Sequence, residues 1–189
     1  MIQTRKDLKF YLTEDFKRNG FSYTLLGFVR RCILEFCGDD SASVLGYLLA
    51  LRKCEYHFNQ KSLWHKIPYY YYKLKRFRKG MKYSIRIPLN VVGYGLRIHH
   101  LAGGGGVHLS VKSMGNYCGV NSGVLCGNNK DSYDRPTIGD NVMLNTGCKV
   151  FGDISIGDNV VIAAGAIVNK NVPSNCVVGG IPAKIIKAL

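Results

Sequence analysis

The spacing of hydrophobic residues changes near the middle of this 189-residue chain. In the N-terminal part, apolar residues recur every three or four positions, the spacing of one face of an α-helix. The segments with this spacing are 21–36, 44–51 and 61–79. We expect Ser41 or Ser43 to cap the second helix and Gly80 to end the third. This part is therefore predicted to be α-helical.

In the C-terminal part, aliphatic residues recur every six positions. The first set is Ile138, Leu144, Val150, Ile156, Ile162 and Val168. A second set in the same period is Val142, Cys148, Ile154, Val160, Ala166 and Val172. An α-helix, with about 3.6 residues per turn, would scatter such positions around its axis. The period instead predicts a coil with three flat sides, each contributing an inward aliphatic residue, and backbone pairing between stacked coils.

The six-residue period also extends upstream, with two interruptions. Four extra residues lie between Ile98 and Met114, in a segment that contains the glycine run 103–106. The polar stretch 128–134 is predicted to be a loop that leaves the coil. We therefore expect a helical region over residues 1–80 and a parallel β-helix over residues 81–189.

The net charge of +14 is concentrated in the N-terminal half. Residues 1–90 carry 18 Lys/Arg against 7 Asp/Glu, or +11, and residues 91–189 carry +3. Such a bias suits nucleic acid, an anionic membrane surface or an anionic substrate. A solvated helix face explains it equally well. No nucleic-acid recognition motif accompanies the charge, so we do not expect a nucleic-acid partner.

Cysteine usage and the N-terminus both indicate a cytoplasmic protein. The seven cysteines are odd in number and lack C-x-x-C spacing, which favours reduced thiols. The first residues lack a signal-peptide pattern, and no apolar stretch approaches the ~20 residues of a membrane span. The Tyr69–Tyr72 run and the basic residues after it would suit peripheral contact with an anionic inner-membrane surface.

Three further segments carry a resemblance to a known family. They are GLRIHH at 95–100, PTIGDNV at 136–142 and GGIPAK at 179–184. These segments resemble the hexapeptide-repeat acyltransferases, in their serine acetyltransferase-like branch. The segment IPLNV at 87–91 and the helical N-terminus are similar to acetyltransferases of bacterial exopolysaccharide and colanic-acid synthesis.

This resemblance implies a left-handed β-helix, a homotrimer and acetyl-CoA bound between neighbouring coils, without a metal. It places His100 on the catalytic histidine and His99 beside the acceptor. A neutral imidazole with a pKa near 6.5 can take the proton of an acceptor hydroxyl. The cofactor-binding positions implied by the family are Gly127, Thr146, Ala164, Lys170 and Lys184.

Two departures from the family pattern bear on the acceptor. Ile85 occupies the position of an acid that orients the catalytic histidine, and Arg135 replaces a second histidine that helps to hold serine. Arginine suits an anionic or hydroxyl-rich acceptor. We therefore expect O-acetylation of a sugar hydroxyl in a polysaccharide or lipopolysaccharide precursor, with Arg135 among the acceptor contacts. The alternative is serine O-acetylation, which the end of the chain five residues after Lys184 disfavours.

A metal site is the remaining alternative, because a carbonic anhydrase class shares the expected fold. Its ligands would be His99, His100 and His108. Adjacent residues of a strand point to opposite faces, so His99 and His100 cannot bind one ion together. We therefore expect no catalytic metal.

Overall fold

The computed structural model describes residues 1–99, 104–128 and 133–189, and the chain divides into two units, Met1–Ile85 and Arg86–Leu189. The first unit is helical. Its elements are α1 (Arg5–Arg18), α2 (Leu25–Phe36), α3 (Asp40–Phe58), a 3₁₀ turn (Leu63–His65) and α4 (Lys66–Tyr83). Within the described ranges, no helix has both the length and the apolar character needed to cross a membrane.

The starts of α2 and α3 differ from the sequence prediction. Helix α2 begins at Leu25, because the Thr24 hydroxyl accepts a backbone N–H of the first turn at 3.1 Å. Helix α3 is capped by Asp39, whose carboxylate accepts a first-turn N–H at 2.7 Å. Ser41 and Ser43 therefore lie inside α3 rather than at its cap.

Helix α4 continues past the residue that was predicted to end it. Gly80 lies inside the helix, where a Cβ would come 2.7 Å from the carbonyl oxygen of Ile85. Glycine at this position therefore allows the backbone of Ile85 to pack closely against α4. The helix ends at Tyr83, and the next residue, Ser84, has a left-handed φ of 55°. Pro68 lies in the first turn of α4, where its missing N–H leaves no helical hydrogen bond unmade.

Helix α3 is the centre of this unit and contains a buried ion cluster. The Arg52 side chain is fully buried, with Nε 2.8 Å from Asp15 Oδ2 on α1 and Nη1 3.2 Å from Glu55 Oε2. Its guanidinium carbon lies 5.0 Å from the centre of the Tyr11 ring. Burial alone would lower the pKa of Arg52, but the charges of Asp15 and Glu55 raise it above its usual value. The cluster joins α1 to α3.

The second unit is a parallel β-helix, as predicted. Its strands are β1 (Ile85–Arg86), β2 (Arg97–Ile98), β3 (Val107–Leu109), β4 (Ser113–Met114), β5 (Gly119–Val120), β6 (Val124–Gly127), β7 (Thr137–Ile138), β8 (Met143–Leu144), β9 (Lys149–Phe151), β10 (Ser155–Ile156), β11 (Val161–Ile162), β12 (Ile167–Val168), β13 (Cys176–Gly180) and β14 (Ala183–Ala188). Sheet A has the order β1-β3-β6-β9-β12, sheet B β4-β7-β10 and sheet C β2-β5-β8-β11-β13-β14. The pairings from β2 to β13 are parallel, and β14 pairs antiparallel with β13.

The strand register shows the length of each coil. Thr137 pairs with Ser155, and the interval between them is three sides of the six-residue period. Gly119 pairs with Met143, a coil that is longer by one side because it contains the predicted loop. Arg97 pairs with Gly119, and this coil is longer than a regular one by the same four residues that interrupt the period in the sequence.

The core of the β-helix agrees with the six-residue pattern. All six residues of the first aliphatic set are at most 2% exposed. Five of the second set are also buried, whereas Ile154 is half-buried. Its N–H donates to the carbonyl of Gly152 at 2.9 Å, so it belongs to a tight turn instead of a regular side. Ile154 therefore occupies a position of the six-residue repeat without being fully buried.

One edge of the β-helix, between sheets C and A, is a column of glycine turns that we call the glycine edge. It comprises residues 104–106, 122–123, 146–147 and 164–165. Successive turns are joined by hydrogen bonds, such as Gly123 N–H to the carbonyl of Gly106 at 2.7 Å and Gly147 N–H to that of Ser122 at 3.0 Å. Gly123 and Gly147 have φ of 74° and 71°.

We expect Gly123→Ala to destabilise the β-helix more than Gly147→Ala. Both variants force alanine into a left-handed conformation, at about 1–2 kcal/mol. A Cβ on Gly123 would in addition lie 3.3 Å from the Cα of Gly147, whereas a Cβ on Gly147 meets nothing within 4 Å. Urea unfolding measures the difference in the free energy of unfolding between the two variants, provided that its dependence on urea concentration is unchanged. Equal losses in the two variants would contradict the close packing of these turns.

Candidate functional site

The candidate site is the outer face of sheet A together with the turns on both sides of it. The outward side chains in register along the face are His108, Leu125, Lys149 and Ile167. The glycine edge borders the face on one side. The turns that follow the strands border it on the other, at residues 127–128, 151–153 and 169–170, and we call them the second edge. At about 4.8 Å between strands, the face extends about 14 Å along the axis from β3 to β12.

His99 lies at the glycine edge, directly after β2. It is half-buried, and its backbone N–H donates to the carbonyl of Val120 at 2.8 Å. The parallel register aligns His99 with Asn121 and Asn145 on the following coils. The Asn121 amide donates to the Asn145 side-chain oxygen at 3.0 Å. The two residues aligned with His99 on the following coils are therefore hydrogen-bonded to each other.

His100 lies outside the described residues, as do its neighbours to residue 103, so its role as the base stays a prediction. The position that carries an orienting acid in the family is Ile85, which is 3% exposed in β1. A buried aliphatic side chain cannot hold an imidazole by a hydrogen bond. Any such partner of His100 must come from another position.

The predicted cofactor residues lie in three places. Thr146 and Ala164 are exposed at consecutive turns of the glycine edge. Gly127 ends β6 and Lys170 is exposed two coils further on, and both belong to the second edge. Lys184 is exposed on β14 of sheet C. Thr146 and Ala164 thus lie on one border of sheet A. Gly127 and Lys170 lie on the opposite border.

Arg135 lies beside the second edge, in one groove with Asp153 and just before the buried Pro136 and β7. Among the described residues, its buried Nε has no hydrogen-bond partner. The open groove at this position is lined by Val91, Val111, Lys112, Tyr133, Asp134, Arg135 and Asp153. Arg135 and His99 are therefore separated by sheet A, which is about 13 Å wide over the four residues of β6.

His108 is a site candidate that the sequence analysis considered only as a metal ligand. It projects outward from β3 and is half-buried. Burial lowers its pKa, and the positive charge of Arg86 lowers it further, so the imidazole is neutral at pH 7 and can accept a proton. Its position between the buried Val107 and Leu109 was the signal that it faces outward.

The cysteines of the β-helix belong to its core. Burial raises the pKa of Cys148 to about 12, and burial with the neighbouring Cys148 raises that of Cys126. Neither thiol ionises near pH 7, which excludes them as nucleophiles. In the part of the chain that the structure describes, no group of three or more His, Cys, Asp or Glu residues is placed to hold a metal ion.

Comparison with known proteins gives matches in sequence and in fold. Residues 135–170 match the family described as bacterial transferase hexapeptide (six repeats). A serine acetyltransferase of Synechococcus elongatus is 44% identical over 97 residues, which are 50% of this chain and 39% of that protein. The chain spans between about a third and a half of the first curated relatives that it matches.

Two solved structures share the fold along nearly the whole chain. Serine acetyltransferase of Neisseria gonorrhoeae in complex with serine superposes with a TM-score of 0.65 at 22% identity, covering 97% of this chain and 70% of that one. A serine acetyltransferase in complex with CoA has a TM-score of 0.62 at 16% identity, covering 96% and 71%. At these identities the likeness shows the fold alone.

These findings correct the expected acceptor. The prediction of a sugar hydroxyl, and with it a carbohydrate partner and polysaccharide synthesis, is wrong, because the sequence relatives are named serine acetyltransferases. The presence of Arg135 does not favour a sugar over serine. A guanidinium suits any anionic or hydroxyl-rich acceptor, and the carboxylate of serine is one of these.

Proposed function

We propose that this chain, whose residues 135–170 match the bacterial transferase hexapeptide family, transfers the acetyl group of acetyl-CoA to the hydroxyl of serine. The observation that carries the proposal is the 44% identity to a serine acetyltransferase over half of this chain. The serine and CoA complexes of proteins with this fold are consistent with the two substrates.

In the proposed reaction, His100 takes the proton from the serine hydroxyl as the oxygen attacks the thioester carbonyl. A bond forms between the serine oxygen and the acetyl carbon, the carbon–sulfur bond breaks, and the CoA thiolate takes the proton from His100. His99, one residue earlier at the glycine edge, contacts the acceptor. The lowered pKa of His108 leaves its imidazole able to accept a proton, so His108 is a second candidate for the base.

Acetyl-CoA is proposed to lie along the outer face of sheet A. Thr146 and Ala164 would contact its pantetheine arm at the glycine edge, and Gly127 would contact it at the second edge. Lys170 and Lys184 are exposed cations and would bind its phosphates.

The active assembly is proposed to be a homotrimer. Within one protomer, sheet A separates His99 from Arg135, whereas a single serine is too small to bridge about 13 Å. A serine can contact both residues only where two protomers meet. A closed trimer would form three equivalent sites of this kind.

The proposed location is the cytoplasm. The seven cysteines all lie in the described residues and none forms a disulfide; five are buried, and Cys32 and Cys37 are exposed. Free thiols fit a reducing compartment, where disulfides rarely persist.

The test is the release of free thiol from acetyl-CoA with serine, threonine and a panel of sugars as acceptors. We expect serine to be the preferred acceptor. Arg135→Ala should raise the KM for serine about 10–100-fold by removing a charge-assisted contact to its carboxylate, with a smaller change in kcat. Arg135→Lys, which keeps the charge, should raise it less. Thiol release that does not depend on serine would contradict the proposal.

A further inference from the structure

Helix α4 and the turn before it expose a continuous apolar surface, which we call the α4 stripe. The stripe consists of Trp64, Ile67, Tyr71, Leu74, Phe77 and Met81. These side chains are between 51% and 85% exposed. Their spacing of three or four residues places them on one side of the helix. An apolar surface of this extent on a helix requires an explanation.

The stripe is not the side by which α4 packs in its own unit. The packing side carries Tyr69 and Tyr72. Tyr72 stacks on His57 of α3, with ring centres 5.8 Å apart and planes 8° from parallel, and Tyr69 lies 5.6 Å from Phe58. The stripe therefore remains after α4 has packed on α3.

The charges around the stripe have a single sign. Helix α4 carries seven Lys/Arg and no Asp or Glu in its 18 residues. Four of these cations are exposed, Lys66, Lys73, Arg78 and Lys82. At about 100° per residue, Lys66 and Lys73 lie along one side of the stripe, and Arg78 and Lys82 lie along the other.

We propose that the α4 stripe docks on an anionic phospholipid surface. The helix lies in the plane of the membrane, with the stripe at the boundary between headgroups and acyl chains and its four exposed cations on the lipid phosphates. Trp64 and Tyr71 have the amphipathic rings that favour this boundary. Lys and Arg can lay their aliphatic stems along the apolar stripe and keep their charges at the headgroups.

Charge distinguishes this partner from a second copy of the chain. Residues 1–85 carry 17 Lys/Arg against 7 Asp/Glu, or +10. Two α4 stripes facing each other would bring their cationic borders together, and α4 contains no acid to pair with them. An anionic membrane satisfies both the apolar surface and the charges. This inference goes beyond acetyl transfer, and its test does not use that activity.

Trp64 makes the proposal directly measurable, because it is the only tryptophan of the chain. Its fluorescence should shift to the blue when phosphatidylcholine vesicles that contain phosphatidylglycerol are added, as the ring leaves water. Brominated acyl chains in the same vesicles should quench it. Vesicles of phosphatidylcholine alone should give a much smaller shift, and added salt should release part of the bound protein.

Two double variants distinguish vesicle binding through the α4 surface from attraction by net charge. Lys66→Glu/Arg78→Glu should lower the partition coefficient at least about 30-fold, since each basic residue near an anionic surface contributes about fivefold. Lys6→Glu/Lys9→Glu changes the net charge equally at exposed positions of α1 and should lower it far less. Phe77→Ser should weaken binding about tenfold by removing apolar area, with little change in salt dependence. Circular dichroism of each variant verifies the helices.

Three results would overturn the proposal. One is a fluorescence of Trp64 that anionic vesicles leave unchanged. Another is equal weakening by the α4 and α1 double variants, which would mean attraction by net charge alone. The third is a Phe77→Ser variant that binds vesicles normally but forms a smaller particle in light scattering. In that case the stripe is a contact between copies of the chain.

Discussion

Replacing His100 by alanine should lower the rate of acetyl transfer by about 10²–10⁴-fold, the contribution of a general base. The KM for acetyl-CoA should change little, because the proposed cofactor contacts lie on other coils of the β-helix. His99→Ala should act differently and mainly raise the KM for serine. Thiol release from acetyl-CoA, measured over a range of both substrates, separates the two effects.

His108→Ala is the comparison that makes the His100 experiment decisive. His108 is neutral at pH 7 and faces outward from β3, so it is the rival for the role of base. If His100→Ala keeps full activity while His108→Ala loses it, the base is His108. If both variants remain active, the proposed general-base mechanism is wrong.

The largest effect on stability is expected in the helical unit, where Arg52→Met should lower the free energy of unfolding by about 3–5 kcal/mol. The substitution keeps most of the side-chain volume but removes the guanidinium that contacts the buried carboxylates of Asp15 and Glu55, whose side chains are 0% and 2% exposed. Urea unfolding followed by the helical circular dichroism signal measures the loss.

Lys53→Met is the matched control, since Lys53 is the next residue of α3, is half-buried and places its ammonium over the Tyr72 ring. It should change stability by less than about 1 kcal/mol. A triple variant, Asp15→Leu/Arg52→Met/Glu55→Leu, should recover much of the loss, because it removes the two buried carboxylates together with the arginine. A small effect of Arg52→Met alone would show that water reaches the two carboxylates.

The β-helix could be predicted from the sequence because its fold imposes its period on the chain. Each side of a coil must supply an inward aliphatic residue, so the course of the coils can be followed along the chain from Ile138 to Val168. The helical unit has no such repeat. Helix α1 was not predicted, since it buries few residues, and its start depends on a local capping box between Thr4 and Asp7.

The site was less accessible to sequence analysis for a geometric reason. The sequence does not show that sheet A separates Thr146 from Lys170, because that depends on which corner of the coil each residue occupies. The same separation between His99 and Arg135 makes a contact between protomers part of the proposed site. The acceptor was predicted wrongly because Arg135 was taken to favour a sugar over serine. A guanidinium can bind either acceptor, so the residue does not distinguish them.

Strand β14 has a consequence for how the protein stays dispersed at high concentration. A stack of parallel strands exposes unpaired N–H and C=O groups at its last strand, which can recruit the same strand of another molecule. In sheet C the chain turns back after β13, and β14 pairs antiparallel with it from Cys176 to Gly180. Lys184 and Lys187 of β14 are both exposed. Strand β14 therefore occupies the edge of β13 in sheet C, and its lysines disfavour pairing with a strand of another molecule.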